Sequence, residues 1–380
     1  MIQFASRLQT VEEYYFSKKL REVSALAVSG KPIINMGIGS PDLYPPTSVI
    51  DAISKGLNAP TAHKYQSYQG LPEFREAVAT FYDNNFKVSL NATNEILPLM
   101  GSKEGIMHIS LALLNEGDKA LIPNPGYPTY TSVTKLVGAT PVYYNLQESE
   151  NYQPNFSELE KQDLSKVKLM WVNYPHMPTG AKSTLETYKQ LIAFGKKHHI
   201  IIVNDNPYSF ILNNEPQSIL QIQEAKDIAL ELNSLSKTFN MAGWRVGMLL
   251  GKADFLNQIL KVKTQMDSGM FYGIQKGAIA ALQESNDWFK KINTVYQKRR
   301  ALVWQLAKKL NCTFNENTAG MFVWAKLPEG KTSEKMVDEL LYDKNIFIAP
   351  GTIFGSRGEG YIRFSLCVPE EKIEEAISRI

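Results

Sequence analysis

Asn233-Ser234-Leu235-Ser236-Lys237-Thr238-Phe239 is followed four residues on by Gly243-Trp244-Arg245-Val246-Gly247. Its lysine lies just beyond an apolar run over 228–235, ringed by hydroxyls, with an arginine eight residues later. A lysine held in a partly dry site loses its proton more easily and can form a Schiff base with an aldehyde. Ser234, Ser236 and Arg245 suit a phosphate, the arginine as a bidentate fork. On these residues alone, a loop lysine near an exposed arginine stays open as the plainer reading.

Outward from this stretch, 71–250 alternates helical and extended segments. Helical patterns cover 71–86, with Phe74, Val78, Phe81 and Tyr82 on one side and Pro72 in the first turn, then 104–114 and 185–198. Short apolar runs fall at 119–122, 142–146, 167–172, 200–203, 228–235 and 246–250. Strands alternating with helices of this length predict a mostly parallel sheet covered on both faces. After Gly251 the pattern changes to helices over 253–266, 273–282 and 288–310. Strands at 321–327, 346–349 and 361–366 and helices at 334–342 and 370–380 follow. The expected fold class is therefore α/β, with a large three-layer domain over 45–285. A smaller α+β domain over 286–380 is joined by residues 1–44, which are too short to fold alone. The runs Lys196-Lys197-His198-His199 and Lys298-Arg299-Arg300 read as solvated helix faces.

Further motifs carry chemistry. Asn204-Asp205-Asn206-Pro207-Tyr208 follows the 200–203 run. A carboxylate at the C-terminal end of such a strand points into the crevice where α/β sheets bind ligands, the alternative being an Asp that caps a helix. Gly101-Ser102-Lys103-Glu104-Gly105 opens a helix, whose free N–H groups and positive dipole end make a phosphate cup. It is no Walker loop, because the G-x-x-x-x-G-K spacing is absent. Tyr361-Ile362-Arg363-Phe364-Ser365 sets an arginine between apolar residues on a strand. Such an arginine needs a partner, either a planar carboxylate ligand or an internal Asp or Glu. Pro123-Asn124-Pro125-Gly126-Tyr127-Pro128-Thr129-Tyr130 and Gly37-Ile38-Gly39-Ser40-Pro41-Asp42 are turns of less certain use by residue chemistry alone.

Taken together, Ser-Leu-Ser-Lys-Thr-Phe and Gly-Trp-Arg-Val-Gly resemble the pyridoxal-phosphate lysine signature of class I/II aminotransferases, of fold-type I. The other motifs follow in that family's order over nearly the whole chain. The resemblance implies pyridoxal 5'-phosphate as cofactor, carried by Lys237 as a Schiff base, with its phosphate held by Ser234, Arg245, Ser102 and Lys103. It implies that Asp205 pairs with the pyridine nitrogen and makes the ring an electron sink. Tyr208 donates to the ring's phenolic oxygen and Tyr127 stacks on the ring, while the Gly39 backbone N–H and Arg363 take the substrate α-carboxylate. Lys237, Asp205 and Tyr208 are then the catalytic set, and no metal is expected. Tyr65, five residues before Gly70 and close to Tyr68, matches the tyrosine that a second subunit lends to the phosphate, which implies a homodimer with shared sites.

One departure stands out. The family's loop reads Asn-Pro-Thr-Gly, its asparagine donating to the phenolic oxygen, whereas this chain reads His176-Met177-Pro178-Thr179-Gly180. Methionine cannot donate that hydrogen bond. Tyr208 then works alone, or Asn173, His176 or a water substitutes. The stretch 263–282, with Asp267-Ser268-Gly269-Met270-Phe271, is similar to the diaminopimelate and alanine-type branches. It holds no arginine for a second carboxylate, which argues against an aspartate specialist.

The activity implied is ping-pong amino transfer from an L-amino acid to a 2-oxo acid. A C–S lyase resembling cystathionine β-lyase is the first alternative, and a non-catalytic cofactor-binding relative the second. Regulators of the latter kind usually carry an added DNA-binding module, and no basic N-terminal domain is present. Composition agrees with an enzyme of small molecules. The 380 residues are 44% hydrophobic and 21% charged, which argues against a disordered or fibrous chain. A net charge of +3 is too balanced for nucleic acid or an anionic membrane as main partner. With only Cys312 and Cys367 no disulfide framework is needed, and a reducing compartment is expected. No signal-peptide pattern or apolar run of ~18–20 residues occurs, so a cytoplasmic location is expected. Tyr14, Tyr15, Phe271 and Tyr272 are expected to line a roomy pocket for a diaminopimelate-like, aromatic, methionine or alanine donor.

Overall fold

The structure is a computed structural model and describes residues 2–380. Its centre is a seven-stranded sheet in the order Ile96–Leu99, Gly247–Leu250, Ala229–Ser234, Ile201–Asp205, Val167–Val172, Lys119–Asn124, Thr140–Asn145. The Gly247–Leu250 strand runs antiparallel to both neighbours, and every other pairing is parallel. The alternation of side chains explains the layering. Met170, Val172 and Ile202 bury into one apolar cluster with the helices Pro72–Phe86 and Tyr272–Leu282. Leu169, Trp171, Val203, Leu230 and Leu232 bury into another, with Ile106 and Ile109 of the helix Ser102–Leu113. Helices cover both faces, so strands such as Ile201–Asp205 read as continuous apolar runs.

A third cluster joins the two ends of the chain. Phe16 and Val23, from the helix Tyr15–Val28, pack with Val303, Leu306, Phe347, Phe364 and Ile373. The strand Ile34–Asn35 pairs in parallel with Ile346–Phe347. Beside it stands a four-stranded antiparallel sheet in the order Ala349–Pro350, Tyr361–Ser365, Phe322–Lys326, Thr313–Phe314. The single strand predicted at 346–349 is thus two, because the chain crosses from one sheet to the other at Ile348. The edge strand Ile96–Leu99, which the Gly101 turn leads one to expect, contains Pro98, which only an edge tolerates.

The run Lys298-Arg299-Arg300 corrects its sequence reading. Only Lys298 is exposed. Arg299 is buried and grips Asp42 bidentately, Nη1 to Oδ1 at 2.6 Å and Nη2 to Oδ2 at 2.9 Å. Arg300 lies over the Trp304 ring and donates to the Thr318 carbonyl at 2.9 Å. The helix Asn286–Lys309 turns this part of its basic run inward because Asp42 waits there. That pair fastens the Gly37–Asp42 turn to the helix. Among the described residues, no helix is long and apolar enough to cross a membrane.

Candidate active site

The C-terminal ends of the central strands open into a cavity of about 590 Å³. Ala229–Ser234 delivers Ser234, whose hydroxyl caps the short helix Leu235–Thr238 by accepting the Ser236 N–H at 3.0 Å. That helix turns Lys237 into the cavity, where its Nζ donates to the Gly39 carbonyl. Burial pushes the Lys237 ammonium down from its usual range, helped by Arg363 and Arg245 and opposed by Cys367. A proton-poor amine at this point suits a nucleophile.

Beside Lys237, three segments make an anion cradle. Gly101, at φ +86°, ends one strand and opens the helix Ser102–Leu113. A Cβ there would lie 2.2 Å from Arg245 Nη2, so the guanidinium sits directly over the helix start. A Cβ at Gly247 would lie 2.9 Å from the Ser102 nitrogen. Ser102, Lys103, Ser234 and Arg245 all line the cavity. Arg245 itself is held at φ +57° and donates to the Ala242 carbonyl at 2.9 Å. Lys103 Nζ lies 4.6 Å over the Tyr14 ring, and burial together with Arg245 lowers its pKa.

Asp205 ends the strand Ile201–Asp205 at the cavity floor. Its Oδ2 accepts from Tyr130 Oη at 2.8 Å, while Oδ1 is buried and has no partner. Burial raises its pKa to about 6, against the Tyr130 hydrogen bond, and the Glu231 charge adds to the rise. An unpartnered buried carboxylate oxygen calls for a donor or a cation from outside the chain. Tyr208 and Tyr127 line the same cavity, and burial pushes both phenols up.

Arg363 projects from the middle of the strand Tyr361–Ser365. It is buried, its guanidinium carbon 3.9 Å from the Phe322 ring centre and 4.7 Å from that of Phe354. Among the described residues it has no acidic partner. Nη2 donates to the Gly37 carbonyl at 2.7 Å, Nη1 to Met177 Sδ at 3.2 Å, and Nε to nothing. Burial pushes its pKa down to about 10. The internal Asp or Glu bridge that the sequence left open is not formed.

One predicted site residue stands apart: Tyr65 is 90% exposed and lies outside the cavity. Of the four aromatics expected in the pocket, Tyr14 alone lines it. Tyr15 lies among Glu334, Asp338 and Tyr342, and Phe271 is exposed. His176 also lies outside the cavity lining, buried with Nδ1 on Thr179 Oγ1 at 2.8 Å and its pKa pushed down to about 3 by burial. Asn173 lines the cavity, but its Oδ1 accepts the Met177 N–H at 2.7 Å and its Nδ2 donates to the Asp205 carbonyl.

Two functional neighbours escaped the sequence. Tyr130, stacked at 4.9 Å on Trp171, orients Asp205. Its signal was its place one helical turn after Tyr127, at the start of the helix Pro128–Leu136. Glu231 is fully buried and accepts from Tyr82 Oη at 2.8 Å, Asn204 Nδ2 at 3.0 Å and the Ile219 N–H at 3.1 Å. It ties together the strands that carry Asp205 and Ser234. Glu104, His108 and Asp267 also bring ligand-type atoms within 4.8 Å of one another. There, however, the buried Lys263 already holds both Asp267 oxygens, at 2.7 and 2.9 Å.

One cavity thus brings together Lys237, the Ser102–Arg245 cradle, Asp205 and Arg363, the last two without a charged partner among the described residues. Residues 31–380 match the family described as aminotransferase class I and II, and the chain belongs to that family. It is 40% identical to the LL-diaminopimelate aminotransferase of Aquifex aeolicus and 41% identical to that of Maridesulfovibrio salexigens. The alignments cover 100% of this chain and 99% and 98% of those proteins. Among solved structures, apo-BacF from Bacillus subtilis superposes with a TM-score of 0.96 at 33% identity, covering 100% of this chain and 98% of that one. The chain is thus a fold-type I, pyridoxal-phosphate-dependent aminotransferase acting on amino and 2-oxo acids, and the C–S lyase alternative is not favoured. The cavity fits the cofactor: the cradle over Gly101 accepts a phosphate, and Asp205 Oδ1 lacks the partner that a ring N–H supplies.

Proposed function

We propose that this cavity carries out both halves of amino transfer, with each residue in the role its surroundings favour. When bound, pyridoxal phosphate supplies an aldehyde that takes up amines and a ring that withdraws electrons from the bonds at the substrate α-carbon. Ser102, Lys103, Ser234 and Arg245 hold the phosphate, and Asp205 Oδ1 holds the ring N–H. Tyr127 would pack on the ring and Tyr208 would donate to its phenolic oxygen, both lining the same cavity. Arg363 binds the α-carboxylate together with the Gly39 backbone N–H, which aims the α-hydrogen at Lys237. Lys237 Nζ, kept proton-poor by burial, takes that proton and returns it on the far side of the transfer. The observation that carries this reading is Arg363, a buried cation with no acidic partner among the described residues, in the same cavity as Lys237.

Tyr14, Phe16, Phe322 and Phe354 line the cavity with aromatic surface, the last three against Arg363. LL-diaminopimelate, the substrate named for the relatives, is the first candidate donor, and an aromatic amino acid is the second. Residues 45–285 are read as the cofactor-binding domain. Residues 1–44 and 286–380 are read as the small domain that carries Arg363, a division supported by the cluster joining Phe16 and Val23 to Phe364. A cytoplasmic homodimer, with Tyr65 reaching the partner's phosphate, accounts for the exposure of that tyrosine.

The test is a screen of the twenty amino acids and diaminopimelate against 2-oxoglutarate and pyruvate. Borohydride reduction and peptide mapping should accompany it. Label on Lys237 and turnover of a large donor are expected. Label on another lysine would refute the reading.

A further inference from the structure

Few hydrogen bonds orient Arg363. Five N–H groups leave its guanidinium, and the protein receives one through the Gly37 carbonyl and one through Met177 Sδ. The rings of Phe322, Phe354 and Phe16 lie 3.9, 4.7 and 5.6 Å from its guanidinium carbon and attract the cation through their faces. Met177 is therefore the only side-chain acceptor of this arginine among the described residues. Met177 is itself fixed, 6% exposed, with its N–H on Asn173 Oδ1 at 2.7 Å.

We propose that Met177 is a positioning residue for the substrate carboxylate. Its thioether accepts from one arm of Arg363 while Gly37 accepts from the other, which sets the guanidinium plane and leaves the remaining N–H groups, Nε included, for the carboxylate. The sulfur is a weak acceptor and no donor, so it orients the arginine without competing for it as a carboxylate would. The position that the sequence marked as a defect in cofactor tuning thus has a use of its own, on the substrate side of the cavity. The inference rests on the reading of Arg363 as the carboxylate site.

Met177→Leu, among the milder volume-conserving exchanges for a buried residue, removes the acceptor. Freeing one long side chain that binding must then immobilise weakens association about three- to tenfold. The holoenzyme variant should therefore bind 3-phenylpropionate, an amino-acid shape without the amine, that much more weakly by calorimetry. KM should rise by the same factor for every amino donor and every 2-oxo acid. At saturation kcat should hold, and the pH midpoint of the bound cofactor's absorbance should not move. Met177→Gln, whose amide oxygen can accept from Arg363, should return the dissociation constant to the wild-type value or below, and it serves alone should the leucine variant fail to fold.

Unchanged binding in Met177→Leu, with Arg363→Lys weakened, overturns this inference and leaves the carboxylate site standing. A shifted absorbance midpoint with unchanged 3-phenylpropionate binding also overturns it, by assigning Met177 to the cofactor. If Arg363→Lys itself binds 3-phenylpropionate like the wild type, the carboxylate site lies elsewhere and both readings fall.

Discussion

Replacing Arg363 with lysine exchanges a planar fork for a point charge at a site built around the fork. Among the described residues no acid pairs with this position to keep either cation charged, and Phe322 and Phe354 exclude water from two sides. A bidentate pair places two charge-assisted bonds on the carboxylate, and losing one costs about 1.5–3 kcal/mol. That predicts a fall in kcat/KM of roughly 10- to 150-fold, the same for every donor and acceptor, because all share the carboxylate. The pH dependence sharpens the expectation. Carboxylate binding needs the charged form and is lost as pH rises through the residue's own pKa. Burial has already brought Arg363 down to about 10, so the wild-type KM should stay level through neutral pH. The same burial acting on a lysine, whose unperturbed pKa lies below that of arginine, brings its loss of charge to a lower pH than that of Arg363. Steady-state kinetics between pH 6.5 and 9.5 should show KM climbing in the variant before it climbs in the wild type. A defect confined to one donor would make Arg363 a side-chain reader, and a flat variant profile would refute the burial reasoning.

Lys237→Ala should abolish turnover yet keep the cofactor through gel filtration, since the cradle of Ser102, Ser234 and Arg245 is independent of the lysine; residual steady-state transamination would defeat the assignment. Gly101→Ala forces a Cβ to 2.2 Å from Arg245 Nη2 at φ +86°. Holding an alanine at this positive φ costs about 1–2 kcal/mol, so cofactor affinity should fall about tenfold, and an unchanged dissociation constant would remove Gly101 from the cradle. Sedimentation should show a dimer in which Tyr65→Phe loosens the cofactor, whereas a fully active monomer contradicts the shared site. Met177→Asn restores a donor beside the cofactor's phenolic oxygen. A bond to that charged oxygen is worth roughly 1.5–3 kcal/mol, which should lower the absorbance midpoint of the lysine-bound cofactor by about 1–2 pH units. Coincident titrations would mean that another donor, with Asn173 the nearest candidate, already fills the role.

What the sequence made legible was whatever depends on short-range order. The Lys237 motif, the Asp205 strand end and the Gly101 helix start each combine a strand, a turn and a reactive side chain within ten residues, and the cavity brings them together. The long helices and the central strands follow from apolar periodicity, so Val167–Val172 and Leu185–His198 match their predicted bounds. Pairings across the chain were not legible. Arg299 lies 257 positions from Asp42, and nothing local distinguishes a basic run that faces water from one that grips a distant carboxylate. The short strand Ile34–Asn35 is likewise defined by its partner, Ile346–Phe347, and not by its own two residues.

The same distinction applies at position 177, where comparison with a motif tells only part of what the residue does. Judged against Asn-Pro-Thr-Gly, a methionine is the loss of one hydrogen bond to the cofactor. Judged by its neighbours, it faces Arg363, 186 positions away, and supplies the only side-chain acceptor that this buried cation has among the described residues. A motif records which contacts a position makes in other chains, and it is silent on contacts that the substituted residue makes in their place. Sulfur is large, polarizable and a weak acceptor, so it can lie against a guanidinium without neutralising it. A carboxylate at 177 would have closed the arginine to substrate, and a leucine would have left it loose. Of these side chains, methionine is the one that holds the fork and leaves its charge for the ligand.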